Sequence, residues 1–360
     1  MIQFILQRIG YGILVLFGVI VVIFFLFNIL PGDPARMMLG QRADSASVAA
    51  VKKELGTDKP LYVQFAAYLN DLSPLSFHTI NNAGGSFRYD SVKYGTPFFA
   101  YTAGNFMMAA KFPCLRQSYQ TRRNVSELLF ESFINTFILA FVAMIFALLA
   151  GIGIGVLCAL YKNSFIDRLS LVFSVLGMSL PSFFAAILNA WIFAFVLAHF
   201  THLNMAGSLY SVDDLGRGEY LDLKNLILPA FTLGIRPLAI IVELTRNSLL
   251  EVLSQDYIRT ARAKGLGPRR ILLRHALKNA LNPVVTAATG WLASLLAGAV
   301  FVEYIFDWKG IGLVIVNALD KYDFPVIMGA VLFISVILIL INIFADILYG
   351  IIDPRVRLSG

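Results

Sequence analysis

The sequence predicts an all-α integral membrane protein with six transmembrane helices. The chain has 360 residues, of which 58% are hydrophobic and only 14% are charged, and its mean hydropathy is +0.75. Soluble domains carry about a quarter charged residues, so the composition excludes an ordinary soluble domain. Uncharged stretches recur along the chain, each as long as the roughly 20 apolar residues that a spanning helix needs.

Five uncharged stretches give predicted spans, and a sixth span carries charge. The five are 9–32, 132–161, 169–198, 279–302 and 324–345. The sixth, 226 to about 252, contains Arg236, Glu243 and Arg246, which are too costly to face lipid and are expected to point into the protein or toward a helix end. Glu243 and Arg246 are three residues apart and are suited to pair on one helix face, so a structural ion pair is favoured over a substrate site.

The N-terminal stretch is expected to stay in the membrane. It follows Arg8, it is longer than the roughly 7 to 15 apolar residues of a signal-peptide core, and no small-residue cleavage site follows it. Residues 1–30 are therefore predicted to form the first transmembrane helix.

Lys and Arg in the short loops set the predicted orientation, because inner loops of membrane proteins are enriched in these residues. With the N-terminus inside, the inner segments hold Arg8, Lys162, Arg168, Arg246, the basic residues of 257–284, Arg355 and Arg357. The short outer loops, 199–225 and 306–323, hold only Arg217, Lys224, Lys309 and Lys321. The chain is predicted to be a multi-pass protein of the plasma (inner) membrane with both termini in the cytoplasm.

Residues 31–131 form the only sizeable region predicted outside the membrane, on its outer face. Within it, 73–113 is rich in aromatic residues and poor in charge, which argues against a disordered linker. We interpret it as an ordered insertion with some strand or loop content, and we expect its aromatic residues to pack on the exterior of a complex. Residues 125–350 are predicted as the transmembrane core, with a cytoplasmic loop at 251–280, and residues 351–360 as a cytoplasmic tail.

Sequence motifs argue against an enzyme. The glycines of Gly151-Ile-Gly-Ile-Gly155 lie in an uncharged helical stretch, which favours close helix packing over nucleotide binding. The sequence contains no G-x-x-x-x-G-K-[ST], so energy from ATP has to come from a partner. Cys114 and Cys158 are interpreted as free thiols. His199 and His202 are interpreted as an interfacial pair, so neither a metal site nor catalytic activity is predicted.

The stretch 257–284 is strongly basic and contains no acidic residue. The turn Gly265-Leu-Gly-Pro268 predicts two short helices, because Gly ends a helix and Pro suits the first position of the next. A DNA-binding helix-turn-helix is rejected, since the second helix continues into a span through Pro283, and no nucleic-acid partner is predicted. On the residues alone, two interpretations stay open: a docking element for a soluble partner, or a group of cations that meets anionic membrane lipid and fixes topology.

Three motifs in this stretch decide between a docking element and a lipid-binding group of cations. They are Tyr257-Ile-Arg-Thr-Ala-Arg-Ala-Lys-Gly-Leu266, His275-Ala-Leu-Lys-Asn-Ala-Leu281 and Pro283-Val-Val-Thr286. They resemble the cytoplasmic loop of dipeptide and oligopeptide ABC importer permeases, a variant of the EAA loop of binding-protein-dependent transport systems. The general EAA pattern is matched only at Ala261, Gly265 and Leu277, and the departures resemble the peptide subfamily. Similar motifs stand at Gln7-Arg8-Ile9, Leu30-Pro-Gly-Asp-Pro34, Leu180-Pro-Ser182, Glu303 to Trp308, and Tyr349 to Arg355.

The resemblance implies a type I ABC importer permease with an extracytoplasmic insertion between helices 1 and 2. Such a subunit forms half of a translocation path with a second homologous permease, docks two cytoplasmic ATPases and receives peptide from an extracytoplasmic binding protein. No cofactor is expected on this chain, since ATP and Mg are used by the partner ATPases. A permease for nickel or another small solute stays the alternative. A self-contained secondary transporter is disfavoured because it would need inverted repeats and helices broken at the membrane midplane, and neither is evident in the sequence.

The resemblance also assigns candidate residues. Coupling to the ATPases is expected at Tyr257, Arg259, Thr260, Ala261, Arg262, Ala263, Lys264, Gly265, Leu266 and His275. Ala261 and Gly265 are expected to let the first loop helix lie close against an ATPase groove. Ser179, Pro181 and Ser182 interrupt the third span and are the candidates for lining the path, with a plain packing kink as the alternative.

Overall fold

The computed structural model describes residues 2–29, 34–39, 44–80, 87–213 and 218–352. Three parts of the sequence analysis fall outside the described residues. They are positions 30–33 of the motif at 30–34, Arg217, and the segment from 353 onward, which includes Arg355, Arg357 and most of the predicted tail. The chain divides into two compact units. Unit 1 comprises residues 1–9, 132–313 and 337–360, and unit 2 comprises residues 10–131 and 314–336.

Helices make up most of the described chain, joined by a few short strands. In chain order the elements are α1 (Ile2–Ile29), α2 (Pro34–Leu39), α3 (Ser45–Leu55), α4 (Leu61–Leu72), β1 (Leu75–Thr79), α5 (Ser91–Tyr94), β2 (Phe99–Ala103), β3 (Phe106–Ala110), α6 (Val125–Leu160), α7 (Phe165–Ser179), α8 (Ser182–Asn189), α9 (Ala198–Thr201), β4 (Tyr210–Val212), β5 (Glu219–Leu221), α10 (Lys224–Leu253), α11 (Asp256–Ala263), α12 (Pro268–Arg270), α13 (Leu277–Ala280), α14 (Asn282–Gly298), α15 (Val300–Ile305), α16 (Ile311–Asp320) and α17 (Phe324–Ile352). Two π-helical segments, Ala190–Val196 and Ile271–Ala276, follow α8 and α12.

Four of the described helices are long and apolar enough to cross a membrane by themselves. They contain the stretches Leu6–Asn28, Val125–Leu160, Lys224–Leu253 and Phe324–Ile347. Two further stretches are bent pairs: Phe165–Ser179 with Ser182–Val196, at 114°, and Pro268–Ala280 with Asn282–Ala297, at 48°. The chain is therefore a mostly helical, multi-pass membrane protein with four to six spans.

In unit 1, α6 and α10 pack closely through glycine. A Cβ atom on Gly151 would lie 2.7 Å from Cγ2 of Ile241, and one on Gly155 would lie 2.6 Å from Cβ of Thr245, whereas Gly153 faces open space. The first and last glycines of the sequence motif thus let two helices approach each other, and the helix-packing interpretation is confirmed. Gly151 lies against Ile241 and Gly155 against Thr245, so the chain runs in the same direction in α6 and α10.

The bent pair α7 and α8 lies along α10 in the opposite direction. Asp167, near the start of α7, contacts Arg246 toward the end of α10, at 2.6 Å between Oδ1 and Nε. At the other end of the pair, Nδ2 of Asn189 donates to Oγ1 of Thr232 at 3.0 Å. Between them, a Cβ on Gly177 would touch Ile235. From Arg246 to Ile235 the contacts follow α7 along α10, whereas after the 114° bend α8 reaches only as far as Thr232.

Unit 2 has its own core beside α1. Phe24 packs against Phe65 and Tyr68 of α4, with ring centroids 5.0 and 5.6 Å apart. Met328 and Leu332 of α17 complete this buried cluster. Phe65 and Tyr68 are three residues apart, so they lie on one face of α4 and fix that helix along the apolar α1.

A buried carboxylate ties the segments of unit 2 together. Asp71, at the end of α4, binds Nζ of Lys93 at 2.7 Å, the hydroxyl of Tyr94 at 2.6 Å and Nε of Arg116 at 2.9 Å. Burial alone raises the pKa of Asp71, but the charges of Arg116 and Lys93 outweigh it and hold that pKa below its usual value. Asp71 and its partners thereby close the loop that contains the predicted insertion.

The predicted insertion, 73–113, forms a three-stranded antiparallel sheet in the order β1-β3-β2. The expectation of some strand content is confirmed, and it qualifies the all-α prediction, as does the small hairpin of β4 and β5. The register places Phe77, Met108 and Tyr101 side by side on one face. Phe77 and Tyr101 on that face are exposed. That these aromatic residues pack on other subunits stays a prediction.

Candidate coupling loop and translocation path

The loop that follows α10 folds as a bent pair of short helices. Gly265 ends the first helix with φ +78°, a left-handed backbone that glycine adopts without steric strain. Pro268 then starts α12, as the sequence predicts. The second helix meets α14 with a bend of 48°, and Pro283 explains it, because a proline inside a helix lacks the N–H donor and crowds the preceding turn.

The inner face of this loop packs on the rest of unit 1. Ile258 is fully buried and Ala261 is 8% exposed, and both join a cluster with Leu249, Ile271 and Ala276. The loop is therefore held rigidly to the end of α10 and to the helix that enters α14. Ala261 is packed inside the chain, so internal packing accounts for its small side chain, and its closeness to an ATPase groove stays a prediction.

The outer face of the loop carries the remaining candidate residues. Those exposed are Tyr257, Arg259, Thr260, Arg262, Ala263, Lys264 and Gly265, and those half-buried are Leu266 and His275. The hydroxyl of Tyr257 accepts a hydrogen bond from Nδ2 of Asn279 at 3.0 Å, which links the two helices of the loop. A Cβ atom on Gly265 would meet nothing within 4 Å. The left-handed backbone conformation at position 265 therefore explains why a glycine is found there, since no neighbouring atom of the described chain excludes a side chain.

Arg246 connects α10 to α7 just before the loop. Its guanidinium binds the carboxylate of Asp167 through two bonds of 2.6 and 2.8 Å, and the side chain of Asp167 is 2% exposed. The backbone N–H of Asn163 donates to the same carboxylate at 2.8 Å. Arg246 forms its ion pair with Asp167 of α7 and not with Glu243 as predicted, while Glu243 stays exposed.

The predicted interruption of the third span is a sharp break. Leu180 has the extended backbone that a following proline favours, so α7 ends at Ser179 and α8 starts after Pro181. Ser179 and Pro181 are exposed and Ser182 is half-buried. The hydroxyl of Ser179 donates to the carbonyl of Val175 at 2.8 Å. The break therefore places Ser179 and Pro181 on the surface of unit 1, and their path-lining role stays a prediction.

Within unit 1, hydrogen bonds connect the N-terminal part of α6 to the turn that follows α15. Nε1 of Trp308 donates to the carbonyl of Asn135 at 3.0 Å, and the N–H of Ile311 donates to Oγ1 of Thr136 at 2.9 Å. The N–H of Gly312 donates to Oε2 of the fully buried Glu303 at 2.6 Å. Sequence reasoning recognised Glu303 and Trp308 only as part of a motif; the partner of Trp308, Asn135, lies 173 residues away in the sequence.

No group of three or more His, Cys, Asp or Glu side chains that could hold a metal ion occurs within the described part of the chain. Cys114 and Cys158 are free thiols.

Comparison with known proteins shows the family. Residues 151–358 match the family of binding-protein-dependent transport system inner membrane components, and residues 1–82 match the N-terminal region of such membrane components. The chain belongs to this family. It is therefore an inner-membrane transport component of the ABC importer class and not an enzyme, and the family operates with ATPase and binding-protein partners.

Relatives match over nearly the whole length. The chain is 34% identical to the dipeptide transport system permease protein DppB of Alkalihalophilus pseudofirmus, over 99% of this chain and 100% of the relative. It is 35% identical to the di/tripeptide transport system permease protein DppB of Pseudomonas aeruginosa, over 99% of each. It is 34% identical to the glutathione transport system permease protein GsiC of Salmonella typhimurium, again over 99% of each.

Solved structures agree on the fold. A chain of the inward-facing MetNI methionine ABC transporter superposes with a TM-score of 0.50 at 18% identity, covering 63% of this chain and 97% of that one. The likeness concerns the fold, which is that of a type I ABC importer permease.

Proposed function

We propose that this chain is a permease subunit of an ATP-driven importer of short peptides. It forms half of the translocation path with a second homologous permease, and it transmits the movement of two cytoplasmic ATPases. An extracytoplasmic binding protein delivers the peptide. The names of the relatives, which transport dipeptides, di/tripeptides and glutathione, support the substrate class.

The packed loop after α10 is the observation that carries the coupling role. Ile258 and Ala261 fix its inner face to the chain, while a basic outer face with Arg259, Arg262 and Lys264 stays exposed. A rigid element that continues into two membrane helices transfers a push from a soluble partner to both of them. A loop that served only to attract anionic lipid would need the charges but not the buried packing.

We propose six spans, with each bent pair counted as one and both termini in the cytoplasm. The contacts of Asp167 with Arg246 and of Asn189 with Thr232 set the bent pair antiparallel to α10, which supports counting it as one span. Since α6 runs parallel to α10 and the bent pair runs antiparallel to both, the three elements alternate in the way that consecutive spans require. The excess of Lys and Arg in the loops at 162–168 and 257–278 supports the orientation.

Thiol labelling from the two sides of the membrane tests this topology. With Cys114 and Cys158 replaced, Lys162→Cys should react with an impermeant maleimide only from the cytoplasmic side, and Val212→Cys only from outside. Both positions are exposed, and neither caps a helix in the structure. Labelling of both positions from the same side would refute the six-span arrangement.

Uptake by the assembled transporter tests the function. The complex of this permease with its sister permease, the ATPases and the binding protein, reconstituted in vesicles, should accumulate labelled dipeptide or tripeptide when ATP is supplied on the ATPase side. A proton or sodium gradient without ATP should drive no uptake, since a secondary transporter would use that gradient. ATP-driven uptake of nickel ion without uptake of peptide would favour the alternative small-solute importer and overturn the peptide assignment.

A further inference from the structure

Polar residues form a continuous stripe along the exposed face of α10. Arg236, Glu243, Asn247 and Glu251 are all exposed, and they are spaced seven, four and four residues apart. Such spacings place side chains on one face of a helix with 3.6 residues per turn. Ile240, half-buried, lies between the first two. The rest of α10 is largely buried in unit 1, so the stripe is the face that this helix presents away from its own chain.

This face is unsuited to lipid. Arg236 and Glu243 lie within the long apolar stretch of α10, where a charged side chain is tolerated only when it meets water, a polar cavity or a charged partner. Arg246, by comparison, is satisfied by Asp167 inside the chain. Among the described residues, Arg236 reaches only the carbonyl oxygen of Met178, at 3.5 Å, and Glu243 stays exposed although its charge acts on Arg246. Both side chains therefore remain available to a charged partner from outside this chain.

The N-terminal end of the stripe, at Arg236, lies next to the break between α7 and α8. Nη2 of Arg236 lies 3.5 Å from the carbonyl oxygen of Met178, the residue before Ser179. Ser179 and Pro181 are exposed there. Irregular backbone within a membrane protein is found where it is buried or lines a water-filled cavity. Exposed residues at a helix break and an exposed guanidinium at the same place are the features expected of a surface that lines the translocation path.

We propose that Arg236 and Glu243 form a subsite for the two charged ends of a short peptide as it passes through the path. This proposal rests on the proposed function of the chain. The guanidinium of Arg236 binds the terminal carboxylate by charge-assisted hydrogen bonds, and the carboxylate of Glu243 binds the terminal ammonium group. The peptide is therefore oriented with its amino end toward the C-terminal end of α10.

The spacing of the two charges selects peptide length. Seven residues of helix separate Arg236 from Glu243 by about 10 Å along the axis. An extended peptide advances about 3.3 to 3.6 Å per residue, so three residues span about 10 Å and two residues about 7 Å. The reach of the two flexible side chains covers that difference, and the subsite fits dipeptides and tripeptides with free ends.

The sister permease is the competing occupant of this face, and thiol accessibility distinguishes the two. The complete transporter is purified with Cys114→Ser and Cys158→Ala in this chain, and with Ile240→Cys or Leu149→Cys added singly. Ile240 lies between Arg236 and Glu243, so this variant keeps both charges of the subsite. Leu149 is the control, because it is an exposed apolar residue of α6, 73% accessible. A water-soluble methanethiosulfonate should modify the thiol at position 240 readily and the thiol at 149 at least about tenfold more slowly, since reaction needs water.

Protection by peptide is the deciding measurement. Trialanine at saturating concentration should slow modification at position 240 about fivefold or more, whereas trialanine with an acetylated amino end and an amidated carboxyl end should slow it less than twofold, because it lacks both charges. A thiol at position 240 that stays unreactive in the assembled complex would place this face against the sister permease and overturn the subsite. Equal protection by both peptides would also overturn it.

A second set of variants keeps the native cysteines. Uptake of trialanine at saturating binding protein should fall about tenfold in Arg236→Gln and no more than about twofold in Arg236→Lys, since the lysine keeps the charge that the carboxylate needs. Equal uptake by Arg236→Gln and the unmodified transporter would contradict the subsite while leaving the importer assignment intact. Failure of the unmodified transporter to take up any peptide would instead overturn the proposed function, together with the subsite that depends on it.

Discussion

Replacing Gly265 by Glu is expected to leave the protein inserted and paired with its sister permease but to reduce ATP-driven peptide uptake about tenfold or more. Gly265 stands at the exposed tip of the loop with φ +78°, so a glutamate there strains the turn by about 1 to 2 kcal/mol. It also places an acid beside Arg262 and Lys264, on the face proposed to dock the ATPase. Both effects act on the docking surface and not on the membrane helices.

Two matched variants separate strain from docking. Asn tolerates the left-handed backbone, so Gly265→Asn should retain most of the uptake. Gly267 is also in open space but has φ −66°, so Gly267→Glu adds the acid without the strain. If docking matters, Gly267→Glu should also release the ATPase or uncouple it. ATPase retention and peptide-stimulated hydrolysis are measured on each purified complex. Normal values for Gly265→Glu would return the loop to the role of a positive anchor.

Local sequence patterns predicted the elements of this protein better than they predicted the partners of its side chains. Hydropathy located the spans, and the Gly-Leu-Gly-Pro turn predicted the bent loop, because both signals are contained within a few consecutive residues. The break at Pro181 was predicted too, but its 114° bend was not, since the angle depends on how α8 packs on α10. Proline permits a kink, and tertiary contacts set its size.

The charged residues of α10 show the same limit. Glu243 and Arg246 have the spacing of a helical ion pair, yet Arg246 pairs with Asp167, 79 residues away in the sequence. A two-bond contact with a buried carboxylate stabilises more than an exposed pair on one helix, and single-sequence spacing does not reveal it. Ala261 and Gly265 were likewise recognised as important positions, but for packing against a partner. The structure assigns Ala261 to internal packing and Gly265 to the turn.

Loss of the ion pair between Arg246 and Asp167 is expected to destabilise the protein more than loss of the exposed ion pair between Arg259 and Asp256. Arg246→Gln leaves the carboxylate of Asp167 buried without its charged partner, which typically costs about 3 to 5 kcal/mol. The control is Arg259→Gln, which breaks an Arg–Asp pair whose side chains are 76% and 93% exposed, and such exposed pairs contribute about 0 to 1 kcal/mol. Thermal unfolding of the purified complex should show a clear drop for the first variant and almost none for the second.

The double variant Arg246→Gln with Asp167→Asn tests the cause of that drop. If the destabilisation comes from the unpaired buried charge, removing the charge as well should recover more than half of the lost stability, because two neutral amides can still hydrogen bond across α7 and α10. Uptake should recover less than stability, since α11 begins only ten residues after Arg246 and the bridge fixes the end of α10 that the loop moves. Equal unfolding temperatures for Arg246→Gln and Arg259→Gln would show that the buried bridge adds no more stability than an exposed one.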